Sequence, residues 1–185
     1  LNQNYFREPP DQKLAATALR QFLSICRGHG FEPDLFFTGL SFDMHLKDVP
    51  DIMEELRQSN RDWHHHGSNR PPKPRPIDRT EGKDWAEAVK AVQEYEQYEI
   101  IDTRPGRLDH SRVGGLKKMV GYFGRSPLAT GRFVKAPILE VCKQYGVKMG
   151  IGGQDWYDLP SSWFWHMGTL NRPDDAFVHP TWDFN

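Results

Sequence analysis

Cysteine is scarce in this chain: Cys26 and Cys142 are the two present. Each falls on an apolar stretch with helical spacing, so buried free thiols are expected rather than a disulfide framework, and the compartment stays open. Charge of one sign is lacking too. The 24 Lys+Arg residues stand against 25 Asp+Glu, which leaves no overall field to recruit nucleic acid or an anionic membrane, so any charge-driven binding must be local. No apolar run approaches membrane-spanning length, and no basic-then-apolar leader precedes the first helical pattern. The chain begins at Leu1 rather than Met; a removed leader would imply an extracellular or periplasmic location, and otherwise a cytoplasmic one is expected. Internal repeats are absent. The length of 185 residues suits one core with insertions, so a single domain over 1–185 is expected.

What is present alternates. Pro9-Pro10-Asp11 is a helix start, and Leu14, Ala15, Ala18, Leu19, Phe22, Leu23 and Cys26 recur at helical spacing until Gly28 and Gly30. Asp34-Leu35-Phe36-Phe37-Thr38-Gly39 reads as a buried strand, and a second helix near Asp48 buries Ile52, Met53 and Leu56. The next strand ends in the run Trp63-His64-His65-His66 and opens into a loop at 67–83 rich in Pro, Arg and Lys, where Pro71, Pro72, Pro74 and Pro76 forbid regular structure. Trp85, Ala88, Val89, Val92 and Tyr95 mark a third helix, with the strand Glu99-Ile100-Ile101-Asp102 behind it. Helical stretches at Val113 to Tyr122 and Phe133 to Tyr145 follow, then strands at Val147 to Ile151 and Ala176 to His179. This alternation predicts a parallel sheet, open or closed into a barrel, with its chemistry at the carboxyl ends of the strands.

Three adjacent histidines in an extended segment cannot face one way: His64 and His66 share one face and His65 turns from it. Neutral imidazoles are common zinc ligands, and a metal would activate water or polarise a carbonyl. The bland alternative is a hydrogen-bonded histidine cluster. Six Trp residues, several in Gly-rich stretches such as Asp155 to Trp165, suit stacking on sugars as well as plain core packing.

From Leu19 to Pro71 the chain resembles the polysaccharide deacetylase family of carbohydrate esterases. A helix ends in His29-Gly30, the strand Leu35-Phe36-Phe37-Thr38-Gly39 follows, another helix ends near Ser59-Asn60, and a strand leads to His66-Gly67-Ser68-Asn69-Arg70-Pro71. Further on, Gly150 to Trp156 resembles the family's Asp-Trp element, and Pro173 to His179 resembles its final strand. The resemblance implies a parallel-stranded (β/α) barrel, distorted or incomplete, and a hydrolase acting on acyl amide or ester groups of a carbohydrate. It implies His179 as general acid, Asp155 as the group that tunes it, Trp156 as a groove wall, and a divalent metal, zinc foremost. The metal partners would be His66 and His64, with Asp43 as a candidate third ligand. The family arginine falls on Arg125 in Arg125-Ser126-Pro127 or on Arg132.

Two departures matter. The family's metal motif carries a second histidine where Arg70 stands, and a guanidinium has no lone pair to donate. The family's Asp pair falls at Leu1 to Phe6, which holds amides and no carboxylate, leaving Asn4 as a candidate substrate contact. A non-catalytic domain binding an acidic glycan, with Arg70 as a fixed positive charge, is therefore the alternative function. A third reading makes Arg70 to Arg79 a basic docking segment for an acidic partner, with a solvated loop as its bland counterpart.

Overall fold

The computed structural model describes residues 9–59, 61–66, 80–102, 107–131, 136–151, 164–166 and 169–172. Helix α1 (Pro9–Gly28) opens on prolines, whose fixed φ and missing N–H cost nothing in a first turn. Its Leu19 and Leu23 pack on Val49 and Ile52. Strand β1 (Phe36–Phe37) is followed at once by α2 (Gly39–Asp48), a helix that begins where the expected strand closes on Gly39. Thr38 ends the strand by capping this helix: its side chain accepts from the Ser41 N–H, and the Ser41 hydroxyl accepts from the Thr38 N–H. Pro50 then starts α3 (Pro50–Gln58) after a break at Val49, and β2 (His64–His65) follows.

Asp84 caps α4 (Trp85–Gln97) by accepting from the Glu87 N–H. The expected strand at Glu99 to Asp102 forms, as β3 (Tyr98–Asp102), yet it does not join the parallel sheet. It pairs antiparallel with β4 (Arg107–Val113) in a separate two-stranded ribbon. The Pro105-Gly106 dipeptide between them is a turn signal that favours a local hairpin over a long crossover. Helix α5 (Gly115–Phe123), strand β5 (Ala129–Gly131), helix α6 (Ala136–Gln144), strand β6 (Met149–Ile151) and the pair β7 (Phe164–His166) and β8 (Thr169–Arg172) complete the described elements. The expected strand at Ala176 to His179 and the loop at 67–79 lie outside the described residues.

The main sheet runs β1-β2-β5-β6-β8-β7. Strands β1, β2, β5, β6 and β8 are parallel neighbours in chain order, and β7 is antiparallel to β8. Right-handed crossovers that never reverse direction place their helices on one face. The packing agrees. Phe37 meets Phe42 of α2 and Phe123 of α5, Trp63 stacks on Phe123, and His65 meets Glu96 of α4 and Cys142 of α6. The main core lies between that face and the helices, with Phe42, Met53, Val92, Leu116, Met119 and Val141 fully enclosed. No helix among the described residues is long and apolar enough to cross a membrane.

Candidate functional site

Alternation along β2 splits its histidines. The Phe36 ring stacks on His64 with centroids 4.5 Å apart and meets His66 edge-on at 6.1 Å, so both imidazoles share the face away from the helices. Gly131, at the carboxyl end of β5, lies beside them: a Cβ there would come 3.3 Å from the Phe36 ring and 3.4 Å from His66. This neighbourhood is the point where β1, β2 and β5 end together. His64 is buried, and its Nε2 lies 3.4 Å from an Asp34 carboxylate oxygen, an ion pair when the imidazole is protonated.

His65 faces the other way and is fully enclosed. Its Nδ1 lies 2.9 Å from Thr130 Oγ1, with Cys142 Sγ at 3.8 Å. Its Nε2 lies 3.3 Å from Glu96 Oε2, an ion-pair contact rather than an aligned hydrogen bond. Burial alone would push the imidazole down. The Glu96 carboxylate, aided by the Cys142 sulfur, outweighs it and holds His65 up at about 10, so the ring is cationic at neutral pH.

Glu96 is itself fully buried, on the stripe of α4 that carries Ala88 and Val92. The Leu116 N–H, in the first turn of α5, donates to Glu96 Oε2 at 3.1 Å, so the carboxylate also sits at a helix N-terminus, where negative charge is favoured. Two glycines make this approach possible. A Cβ on Gly114 would lie 2.3 Å from the Tyr98 carbonyl oxygen, and Gly115 has φ +51 with a Cβ position 2.8 Å from Glu96 Cα. A carboxylate at core spacing in an amphipathic helix was the signal for Glu96 in the sequence. Nothing in the sequence paired it with His65, Thr130 and Cys142.

The other expected site residues divide into three groups. Asp43 lies on α2, bonded to Lys118 Nζ of α5 and raised by burial; it does not join His64 and His66. Arg125 is held within the scaffold. Its guanidinium donates to the carbonyls of Leu56 at 3.1 Å, Arg57 at 3.2 Å and Arg61 at 2.7 Å, closing the carboxyl end of α3 and the segment entering β2. That places it before the amino ends of β2 and β5, away from His66. Asn4, Arg70, Arg132, Asp155, Trp156 and His179 lie outside the described residues.

Among the described residues no three His, Cys, Asp or Glu side chains are grouped so as to hold a metal. His64 and His66 are two imidazole donors, whereas zinc sites use at least three protein ligands. Both cysteines are buried free thiols, as expected from their apolar settings. No family model, no curated protein and no solved structure matches the chain.

Proposed function

We propose that the chain is a deacetylase-like hydrolase of acyl amide or ester groups on a carbohydrate, with its site at the carboxyl ends of β1, β2 and β5. The observation that carries this reading is the placement of His66 and His64 beside Phe36 and Gly131, on the face of the sheet opposite His65. Parallel strands in unbroken chain order, with helices on one side, are also what a distorted or incomplete (β/α) barrel of the polysaccharide deacetylase type requires, and such sheets work at their strand carboxyl ends. His66 is then the group nearest the acyl carbonyl, able to hold or move a proton at the attacking water. By resemblance His179, oriented by Asp155, protonates the leaving group, and Trp156 walls the groove.

The test is release of acetate from acetylated chitooligosaccharides and acetylated xylan by the purified protein. Release by the native chain and a loss of about 100-fold or more in H66A, the size of a general acid–base contribution, are expected. Native and H66A proteins that release acetate equally slowly would overturn the reading.

A second reading is favoured by one observation in the sequence: Arg70, a cation with no lone pair to donate, stands where the family's second metal histidine falls. On this reading the same face binds an acidic glycan without cleaving it, with Arg70 supplying the fixed positive charge. Binding of a uronic-acid oligosaccharide by a chain that releases no acetate, abolished in R70A, is its expected outcome; affinity unchanged in R70A would sink it.

A further inference from the structure

Helix α1 is attached on one side only. Among its described side chains Leu19, Leu23 and Cys26 are buried, Ala16 and Ala18 are half-buried, and the others are exposed. Leu19 and Leu23 form a small cluster with Val49 and Ile52, at the junction of α2 and α3. That cluster is separate from the main core, and the half-buried Leu35 and Leu56 are where the two meet. No backbone hydrogen bond among the described residues ties α1 to another element. The remaining attachment is ionic: Arg20 pairs with Asp51 and Arg27 with Glu55, both across to α3 and both exposed. A helix of this length is marginal alone in water, so its docking rests on these few groups.

Past the helix come a pivot and then an anchor. Gly30 has φ +68, and a Cβ built at Gly28 or at Gly30 would meet nothing within 4 Å, so no neighbouring group hems in the bend between them. Two residues later Glu32 is paired with Arg61, and Leu35 then packs against the main core. Segments with few buried contacts and an unhindered bend at one end are those that open well below the free energy of global unfolding. Leu35 stands one residue before Phe36, whose ring stacks on His64, so α1 bears on the strand that carries the candidate site. We propose that α1 is a hinged strap: it opens as one unit about Gly28-His29-Gly30 while the main core stays folded, and the Arg20–Asp51 and Arg27–Glu55 pairs are a latch whose hold weakens as ionic strength rises. This inference does not rest on the proposed hydrolase.

The experiment is reaction of the full chain with an uncharged aromatic disulfide under native conditions. Cys26 lies on the docked face of α1 and Cys142 in the main core, both free and buried, so each thiol reports one cluster. Cys26 is expected to react at least about 10-fold faster than Cys142, with a shallower urea dependence, because opening α1 exposes less surface than unfolding the chain. L19C in a C26S background, shown by circular dichroism to be folded, is expected to react within about 3-fold of the Cys26 rate, because one opening uncovers both positions. D51N combined with E55Q, or about 1 M NaCl, is expected to speed Cys26 by about 2- to 10-fold, the effect of two exposed pairs. V92A, which loosens the main core, is expected to speed Cys142 and to leave Cys26 within about 2-fold of the parent. A Cys26 that reacts no faster than Cys142, an L19C as slow as Cys142, a Cys26 rate indifferent to D51N with E55Q, or a V92A chain in which both thiols speed up equally would overturn the proposal.

Discussion

Glu96→Gln isolates the charge of the buried Glu96–His65 pair. Glutamine keeps the shape of the side chain and an oxygen for the Leu116 N–H, but it leaves a cationic His65 enclosed without its counter-charge. Removing one partner of a buried pair costs about 3–5 kcal/mol, and the retained hydrogen bond puts this substitution near the lower end. With a urea m-value of about 2 kcal/mol/M, a loss of about 3 kcal/mol moves the unfolding midpoint down by about 1.5 M. Glu96→Ala also strands the Leu116 N–H and is expected to cost about 1–3 kcal/mol more. His65→Gln combined with E96Q closes a double-mutant cycle, and a coupling of at least about 2 kcal/mol is expected between groups in contact. The pH dependence has a definite sign. His65 is raised from 6.5 to about 10 in the fold, so its contribution is complete below 6.5 and fades as pH rises through about 10. The E96Q penalty is therefore expected to shrink from neutral to strongly alkaline pH. An E96Q midpoint within error of the parent at pH 7, or a coupling near zero, would refute the ion pair and leave His65 as a neutral core imidazole.

Other perturbations probe the frame around the site. Arg125→Lys keeps the charge but not the fork that spans three carbonyls, so R125A is expected to lose about 2–3 kcal/mol in urea unfolding and R125K to recover less than half of that loss. Gly114→Ala forces a Cβ to within 2.3 Å of a backbone oxygen, where no side chain can give way. A loss of about 4 kcal/mol or more, visible as a collapsed melting temperature, is expected. His45, buried on α2 beside Phe37, is lowered from 6.5 by burial, so it stays neutral in the fold. Stability from this residue is complete above 6.5 and is lost as pH falls toward the folded value; H45Q is expected to flatten that part of the acid limb relative to the parent.

Long amphipathic patterns and short apolar strands such as β1 and β6 were legible in the sequence, whereas α2 and β5 were not. The helix from Pro9 to Gly28, the core of α3 and the stripe of α4 could be read because periodicity accumulates over several turns. The α2 helix was missed because Phe36 to Gly39 reads as a strand with a glycine stop; its signal was Thr38 three residues before Ser41, a cap with serine in place of the usual glutamate. Strand β5 was missed for a different reason. Ala129-Thr130-Gly131 has little apolar character, because Thr130 is spent on His65 and Gly131 makes room for Phe36 and His66. The alternation of His64, His65 and His66 was legible. What His65 meets was not, because its partners come from α4, β5 and α6, and only the fold brings them together.

The three histidines raise a question of register that the pair with Glu96 cannot answer alone. A slip of one residue turns every side chain of a strand to the opposite face. Within the run His64-His65-His66 such a slip still offers an imidazole to Glu96, so charge pairing by itself is indifferent to it. Trp63 is not indifferent. Its ring stacks on Phe123 at 4.6 Å, and its Nε1–H donates to the Arg125 carbonyl at 3.2 Å. A slip would carry the indole to the opposite face and forfeit both contacts. The register that puts His65 on Glu96, and so leaves His64 and His66 facing Phe36, is therefore set one residue before the run, by the tryptophan.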